Sequence, residues 1–203
     1  YGILHWVPVW ERSTYVLPTG AAAVYLDAGM AFGTGSHETT RLCAMRLVDI
    51  TERLDRSQCS VIDAGCGSGI LALSAYSLGL RSIVAFDIDP DVMPVCQENR
   101  AFNEIPDGAI EWVCADLEQG LRTRRADVVL ANIQSNILIP HAKLLLSSVK
   151  KGGTLVLSGI LKTEIEQVHA CYASEANTLW GPQAWKANSN SLGDWADLQL
   201  IRC

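Results

Sequence analysis

Residues 61–70 read Val-Ile-Asp-Ala-Gly-Cys-Gly-Ser-Gly-Ile and decide the fold. An apolar strand runs here into three glycines at alternate positions, Gly65, Gly67 and Gly69, and then into an apolar helical segment. Glycine at these positions lets the backbone approach a ligand closely, with the N-terminus of the next helix behind it. The stretch therefore predicts a strand–loop–helix unit that binds a nucleotide-like cofactor.

The spacing of the glycines distinguishes two classes of cofactor. A dinucleotide fingerprint, G-x-G-x-x-G, needs its third glycine at position 70, which is Ile70 here. The pattern is instead acidic-x-Gly-x-Gly-x-Gly, with Asp63 two residues before the first glycine. It resembles motif I of the class I S-adenosylmethionine-dependent methyltransferases, whose loop lies against the methionine half of the cofactor. An NAD-dependent oxidoreductase on a similar fold stays open as an alternative.

Strands and helices alternate along most of the chain, which predicts a parallel sheet with helices on both faces. Predicted strands cover residues 7–10, 14–17, 22–26, 60–63, 82–87, 110–114, 126–131, 154–158 and 195–201, the last of them at the sheet edge. Predicted helices cover residues 37–50, 70–78, 91–103, 137–149 and 163–173. We expect an α/β, Rossmann-like class I methyltransferase fold with a mostly parallel seven-stranded sheet and an antiparallel edge strand.

Further carboxylates are predicted at the carboxyl edge of this sheet. Asp87 ends the strand after the glycine loop, 22 residues beyond Gly65, which suits a carboxylate that accepts from both hydroxyls of a ribose. Asp89 more naturally caps the next helix. Asp116 follows the next strand, where an acid in class I methyltransferases commonly meets the exocyclic amine of adenine. A solvated loop aspartate is the alternative for Asp116.

A second motif is more specific than the glycine loop. Residues 27–40 read Asp-Ala-Gly-Met-Ala-Phe-Gly-Thr-Gly-Ser-His-Glu-Thr-Thr and resemble the loop D-P-G-x-A-F-G-T-G-x-H-x-T-T of the ribosomal protein L-eleven methyltransferase (PrmA-type) family. Further segments fit that family in the same order: 10–18, 61–71, 88–90, 131–133 and 157–161. The resemblance spans essentially the whole chain.

The resemblance implies a protein-lysine methyltransferase that uses S-adenosylmethionine and no metal. Asn132 and the carbonyl of Ile133 would orient the acceptor amine, and His37 would shape the pocket or help accept the proton. The loop 32–35 would cover the methyl group. The expected cofactor contacts are Thr34, Thr40, Asp63, Gly65, Gly67, Gly69, Asp87, Asp116 and Asn132. A surface role for His37, at the start of a helix that Ser36 could cap, and an ordinary loop hydroxyl at Thr34 are the alternatives.

The chain departs from the family pattern at three places: Ala28 and Glu38 replace prolines, and Gln134 replaces a leucine. Gln134 lies beside the expected acceptor pocket, so the departure concerns the substrate. The family also carries an N-terminal docking domain, whereas this chain begins at Tyr1. We therefore expect residues 1–26 to form a short β segment leading from a missing N-terminal region, and residues 27–203 to form the methyltransferase domain.

The composition and net charge of the chain limit the classes of function that it can have. The 203 residues carry 16 Lys and Arg against 22 Asp and Glu, a net charge of −6, which disfavours a broad phosphate-binding surface and suits a basic peptide or a cationic cofactor. No apolar run is long enough for a membrane span. The seven cysteines contain no C-x-x-C pair, which favours reduced thiols in the core.

The sequence therefore predicts a cytoplasmic enzyme whose partner is a ribosomal protein, without direct contact to nucleic acid or a membrane. Two alternatives remain beside the oxidoreductase. One is a class I methyltransferase acting on a small molecule or another protein, and the other is a cofactor-binding module without turnover.

Overall fold

The computed structural model describes residues 2–26 and 37–203. Its strands are β1 (Leu4–Pro8), β2 (Ala22–Leu26), β3 (Val61–Ala64), β4 (Ile83–Asp87), β5 (Ile110–Cys114), β6 (Ala126–Asn132), β7 (Val149–Leu161), β8 (Trp185–Asn188), β9 (Ser191–Leu192) and β10 (Trp195–Arg202). Its helices are α1 (Glu38–Thr51), α2 (Ile70–Ser77), α3 (Val92–Phe102), α4 (Leu117–Leu121), α5 (Ser135–Leu138), α6 (Ala142–Ser147) and α7 (Ile165–Leu179). The fold is the expected α/β alternation.

The main sheet has the strand order β5-β4-β3-β6-β7-β10-β8, with β9 paired to β10. The strands from β5 to β7 are parallel, and β10 is antiparallel to β7, β8 and β9. Six strands of this path lie where the sequence predicts them, whereas β8 and the short β9 were not predicted, and the sheet has eight strands instead of the expected seven. The chain runs outward through β3, β4 and β5 and then returns to β6 beside β3. Ligands bind at the carboxyl ends of the strands at such a reversal.

Each central strand is buried on both faces, which explains the nearly continuous apolar runs in the sequence. In β6, Val128 and Leu130 pack with α1 and α2, whereas Val129 and Ala131 pack with α4 to α7 on the opposite face. Successive side chains of a strand point to opposite faces, so one strand joins the two apolar cores. The sheet is therefore a rigid support for the residues at its carboxyl edge.

The first described segment packs against the domain. β1 and β2 form a separate parallel pair, and Leu4, Val24 and Leu26 belong to the same apolar cluster as α1 and α2. The Asn103 amide closes α3 against β2, because its oxygen accepts from the Tyr25 N–H at 2.7 Å and its nitrogen donates to the Tyr25 carbonyl at 2.7 Å. The division of the chain into residues 1–26 and 27–203 stays a prediction.

Two strands predicted near the N-terminus differ from the structure: one has different bounds, and the other is absent. The strand expected at 7–10 lies at Leu4–Pro8 and is followed by a short 3-10 helix, Val9–Glu11. The strand expected at 14–17 is absent, because the N–H groups of Thr14 and Tyr15 donate to the Glu11 carbonyl in a turn. These local bonds leave the two amides unavailable to a neighbouring strand.

The helix predicted at 137–149 is two short helices, α5 and α6. Pro140 lies between them, has no N–H to donate, and its ring clashes with the preceding turn of a helix. Val149 begins β7 instead of ending the helix. The glycines 152 and 153, expected to precede a strand, lie inside β7 at an irregularity in its pairing with β6.

The C-terminal region contains more strand than expected. β10 matches the segment predicted at 195–201, but it lies inside the sheet because β8 and β9 pair along its outer side. The antiparallel edge is confirmed, with β8 as its edge strand. In the described part of the chain, no helix combines the length and apolar character needed to cross a membrane.

Candidate active site

The glycine loop joins β3 to α2 in the conformation that the sequence predicts. Gly65, Gly67 and Gly69 have φ values of +71°, +49° and +78°, in the left-handed region that favours glycine. A Cβ atom on Gly65 would lie 2.9 Å from Cγ1 of Ile133, and one on Gly69 would lie 2.7 Å from the Trp112 ring. Both backbone conformation and space therefore require glycine, and the loop lies directly against Ile133.

Asp63, in β3, is a buried carboxylate with one unused oxygen. Its side chain is 1% exposed; Oδ2 accepts from the Ala72 N–H at 3.0 Å, and Oδ1 has no hydrogen-bond partner among the described residues. Burial raises the pKa of Asp63 from its usual 3.8 to about 7; the Ala72 hydrogen bond opposes this shift, and the negative charge of Asp87 adds to it. A buried carboxylate oxygen without a partner suits a cationic group of a ligand.

Asp87 ends β4 and links the glycine loop to the next turn. Its Oδ2 accepts from the Gly67 N–H at 2.9 Å, and its Oδ1 accepts from the Asp89 N–H at 3.1 Å. A carboxylate oxygen has two lone pairs, so each oxygen can accept a further hydroxyl. Asp89 accepts from the Asp91 N–H at 2.9 Å in the turn that precedes α3, whose N-cap is Asp91 and not Asp89 as expected.

Asp116 follows β5 at the same carboxyl edge and has a structural task. It is the N-cap of α4, and its Oδ1 accepts from the Gln119 N–H at 2.7 Å. This arrangement accounts for an aspartate at the position without any ligand. Contact of Asp116 with adenine stays a prediction.

Asn132 is the last residue of β6, and Ile133 follows it beside the glycine loop. The Asn132 Nδ2 donates to the Thr40 Oγ1 at 3.2 Å, and Thr40 is buried in the first turn of α1. The Ile133 N–H donates to the Ser158 carbonyl at 3.1 Å. The structure therefore brings Thr40 and Asn132 together by direct contact, and it places Ile133 next to Gly65.

His37 is the N-cap of α1, a position that sequence analysis assigned to Ser36. Its Nδ1 accepts from the Thr39 N–H at 3.4 Å and pairs with the Thr39 hydroxyl at 2.9 Å. Its ring meets the edge of the Trp195 ring, with centroids 5.0 Å apart and planes at 65°. The capping contact turns the Nδ1 atom of His37 toward the first turn of α1, and the ring packs against the Trp195 ring.

Sequence analysis missed Trp195 as a site residue. Because β10 is antiparallel to β7, its first residue lies at the carboxyl edge of the parallel strands, where Trp195 pairs with Leu161. The antiparallel orientation of the last strand was the signal that could have found it. Thr34 and the loop 32–35 lie outside the described residues.

The cysteines near the loop are structural. The Cys96 thiol donates to the Gly67 carbonyl at 3.1 Å, and its hydrogen bond with Cys66 together with burial raises the pKa of Cys66 far above its usual value. Thiols of this kind are poor nucleophiles. No group of three or more His, Cys, Asp or Glu side chains that could hold a metal ion occurs within residues 2–26 and 37–203.

These residues fit the cofactor that the motifs imply. Asp63 offers a buried carboxylate oxygen without a partner among the described residues, and Asp87, which binds the glycine loop through the Gly67 N–H, offers lone pairs at the strand end. The sheet order and this site define the class I S-adenosylmethionine-dependent methyltransferase fold.

Solved structures support this class. A putative SAM-dependent methyltransferase from Streptococcus mutans aligns with a TM-score of 0.65 over 80% of this chain and 48% of that chain, at 9% identity, which is a likeness of fold. The ribosomal protein L11 methylase from Lactobacillus delbrueckii subsp. bulgaricus aligns with a TM-score of 0.82 over 100% of this chain and 96% of that chain, at 29% identity.

The chain belongs to the ribosomal protein L11 methyltransferase (PrmA) family, whose description matches residues 3–197. A ribosomal protein L11 methyltransferase of Thiobacillus denitrificans is 42% identical over 82% of this chain and 52% of the relative. One of Shewanella denitrificans is 36% identical over 100% of this chain and 63% of the relative. The chain thus spans little more than half the length of such curated relatives. The predicted family and fold are confirmed.

Proposed function

We propose that this chain transfers the methyl group of S-adenosylmethionine to an amine nitrogen of ribosomal protein L11, as a protein-lysine methyltransferase. The observation that carries the proposal is the placement of Asn132 and Ile133 against the glycine loop, with Asn132 held by Thr40. The choice of L11 as the methyl acceptor is supported by the membership of the chain in the PrmA family and by the names of its relatives, which are ribosomal protein L11 methyltransferases.

The chain's own residues bind and orient the cofactor. Asp63 offers its unused Oδ1 to the amino group, which is cationic, and Asp87 offers lone pairs to the ribose hydroxyls. When bound, the cofactor's sulfonium supplies an activated methyl group for direct transfer to a nucleophile. Asp63 and Asp87 thus contribute affinity and alignment rather than a chemical step.

The acceptor side consists of Asn132, Ile133, His37 and Trp195. A lysine amine, with an ordinary pKa near 10.4, must be neutral to react, and burial beside a second positive charge lowers its pKa. No strong base is required for this loss of a proton. Asn132 orients the amine through its side-chain oxygen, since its nitrogen donates to Thr40. His37 shapes the pocket, because its Nδ1 is already used in capping α1.

The test is methyl transfer to purified L11 in the presence of S-adenosylmethionine. We expect formation of S-adenosylhomocysteine and a methylated lysine, and a loss of about a hundredfold in kcat for Asn132→Ala. The matched control is Asn177→Ala, on α7, whose side chain bonds to Trp185 and contacts none of the site residues described above. Equal turnover by Asn132→Ala and Asn177→Ala would contradict the role of Asn132. Transfer only to a small molecule, with L11 unmodified, would contradict the proposed acceptor.

Two parts of the proposal concern the surroundings of the enzyme. Contact with a ribosomal protein, without direct binding of nucleic acid or a membrane, is supported by the names of the relatives and the net charge of −6. A cytoplasmic location agrees with a ribosomal substrate. Binding of labelled L11, but not of labelled RNA, to the purified chain tests the first part.

A further inference from the structure

A buried ion pair joins α1 to β10 close to the acceptor side of the site. The Arg46 Nε donates to the Asp197 Oδ2 at 2.8 Å, and the Arg46 Nη2 donates to the Asp197 Oδ1 at 2.7 Å. The side chains are 7% and 0% exposed, whereas those of the surface pair Arg124–Glu111 are 29% and 56% exposed. The two-pronged geometry fixes both the distance and the angle between helix and strand.

Neighbouring polar groups complete this pair. The Arg46 Nη1 donates to the Gln199 Oε1 at 3.2 Å, and the Asn190 N–H donates to the Asp197 Oδ1 at 2.7 Å. The network therefore links α1, β10 and the segment between β8 and β9. A buried ion pair adds little stability over a well-packed apolar pair, and its best-attested use is to fix one register among several.

The ion pair lies where the register of β10 changes. Ala196 pairs with Ile160 and Leu198 pairs with Leu157, so β7 uses one residue more than β10 in this interval. Gly159, with a φ of +82°, is one of the two residues of β7 between Leu157 and Ile160. Asp197 is the residue of β10 between the two registers. The extra residue belongs to β7, so β7 is the strand that bends at this bulge.

The side chain beyond the bulge is Trp195, which contacts His37. Beyond the shift, Trp195 pairs with Leu161 of β7 and with Leu192 of β9, so the ladders set its backbone. Its side chain lies on the same face of β10 as that of Asp197, two residues further on. His37 and Arg46 belong to the same helical element, as cap and third-turn residue. The bonds of Arg46 to Asp197 therefore hold the beginning of β10, which carries Trp195, against the helix that carries His37.

We propose that the Arg46–Asp197 pair is a positioning device that holds Trp195 against His37 and so shapes the acceptor side of the site. Its consequence for turnover rests on the proposed function, whereas its structural part does not. Within the part of the chain that the structure describes, no hydrogen bond links Arg46 or Asp197 to the glycine loop or to Asp87, and Thr40 of α1 is held separately by Asn132, so we expect the pair to act mainly on the acceptor side.

The structural part is tested by the NMR signal of the His37 ring in chain labelled with ¹³C-histidine. The chain has four histidines, and His37→Gln assigns the signal. The contact with the Trp195 ring changes the chemical shift of the His37 signal. The variant Trp195→Leu gives the chemical shift of His37 when that ring is absent. We expect Asp197→Asn to move the His37 signal toward that position. The control Glu111→Gln, which breaks the surface pair with Arg124, should leave the His37 signal in place.

A second variant covers the case in which Asp197→Asn fails to fold. Arg46→Met combined with Asp197→Leu replaces the ion pair by apolar side chains of similar size, a change that buried pairs tolerate. We expect this folded variant to show the displaced His37 signal. A His37 signal at the wild-type position would overturn the proposal, because packing alone would then fix Trp195.

Kinetics separate positioning from a general structural role. We expect the Met–Leu variant to lose about tenfold or more in kcat while the Kd for S-adenosylhomocysteine stays within about twofold. Weakening of Kd in proportion to kcat would contradict the positioning role. If the wild-type chain methylates no acceptor, the proposed function fails, and the His37 signal still decides whether the ion pair positions Trp195.

Discussion

Two carboxylates of the site lie in opposite environments although both belong to neighbouring strand ends. Asp63 is fully buried with one oxygen unpaired among the described residues, whereas both oxygens of Asp87 already accept backbone N–H groups. Burial disfavours the charged form of Asp63, and a bound cation would favour it. In the proposed function, cofactor binding and protonation are therefore coupled at Asp63.

This coupling predicts a pH dependence of cofactor affinity. The pKa of Asp63 is raised to about 7, so below that pH a proton must leave before the carboxylate can meet an ammonium group. Affinity for S-adenosylhomocysteine should rise by up to about tenfold per pH unit between about pH 5 and 7 and then level off. Calorimetry over this range measures it, and Asp63→Asn should give weaker, flat affinity. The same slope in Asp63→Asn would assign the titration to another group.

Asp87→Ala should weaken cofactor binding by about tenfold or more. Hydrogen bonds to a charged group contribute about 1.5–3 kcal/mol, and the variant also frees the Gly67 N–H. The control is Asp107→Ala, whose side chain is 88% exposed. A calorimetric Kd that is unchanged in Asp87→Ala would remove this residue from the site.

At the scale of elements, the approach of β7 to the end of β6 shapes the acceptor side. A Cβ atom on Gly159 would lie 2.7 Å from the carbonyl oxygen of Ile133. No flexible side chain can give way there, because the atom belongs to the backbone. Gly159 therefore lets the last part of β7 lie close to the segment that carries Asn132 and Ile133.

Gly159→Ala should destabilise the chain more than a strained backbone alone explains. The matched control is Gly20→Ala, at φ +80° against +82°, with nothing within 4 Å of its Cβ. The strain common to both is of order 1–2 kcal/mol, and Gly159→Ala adds the clash with Ile133. Urea unfolding of both variants measures the difference. Equal losses would mean that Ile133 moves away at no cost.

The elements predicted from the sequence are those governed by local rules. The glycine loop, α2 and β4 follow from glycine spacing and apolar runs, and the structure has them. The break at Pro140 also follows a local rule, but the apolar run around it outweighed the proline in the interpretation. Attention to that one residue would have given α5 and α6.

The features missed by sequence analysis depend on residues far apart in the chain. Arg46 and Asp197 are separated by 151 positions, and neither belongs to a motif. The contact of Trp195 with His37 arises only once β10 is antiparallel to β7. No period or spacing encodes such pairs, because the sheet order that brings them together is a property of the whole fold.

At the scale of the molecule, the site lies where β3 and β6 meet at the reversal of strand order. Asp63 and Asp87 reach it from one side of the reversal, and Asn132 reaches it from the other. A cofactor bound there contacts parts of the chain that unfolding would separate. Binding should therefore stabilise the fold as a whole.

Stabilisation by a bound ligand should be specific to one cofactor class. At about 100 times Kd, S-adenosylhomocysteine should add about 2.7 kcal/mol of stability. For a chain of this size that raises Tm by about 5–10 °C. NAD at the same concentration should give no shift, because Ile70 stands where a dinucleotide fingerprint has glycine. A comparable shift with NAD would revive the oxidoreductase alternative.

Mass spectrometry of a cell lysate measures the proposed methyl transfer to ribosomal protein L11 among all the proteins of the cell. The lysate is treated with the purified chain and S-adenosylmethionine that carries a deuterated methyl group, with Asn132→Ala as the comparison. We predict heavy methyl groups on lysine of L11 with the wild-type chain and their loss with Asn132→Ala. Label on another protein or on small molecules alone, with L11 unlabelled, would contradict the account.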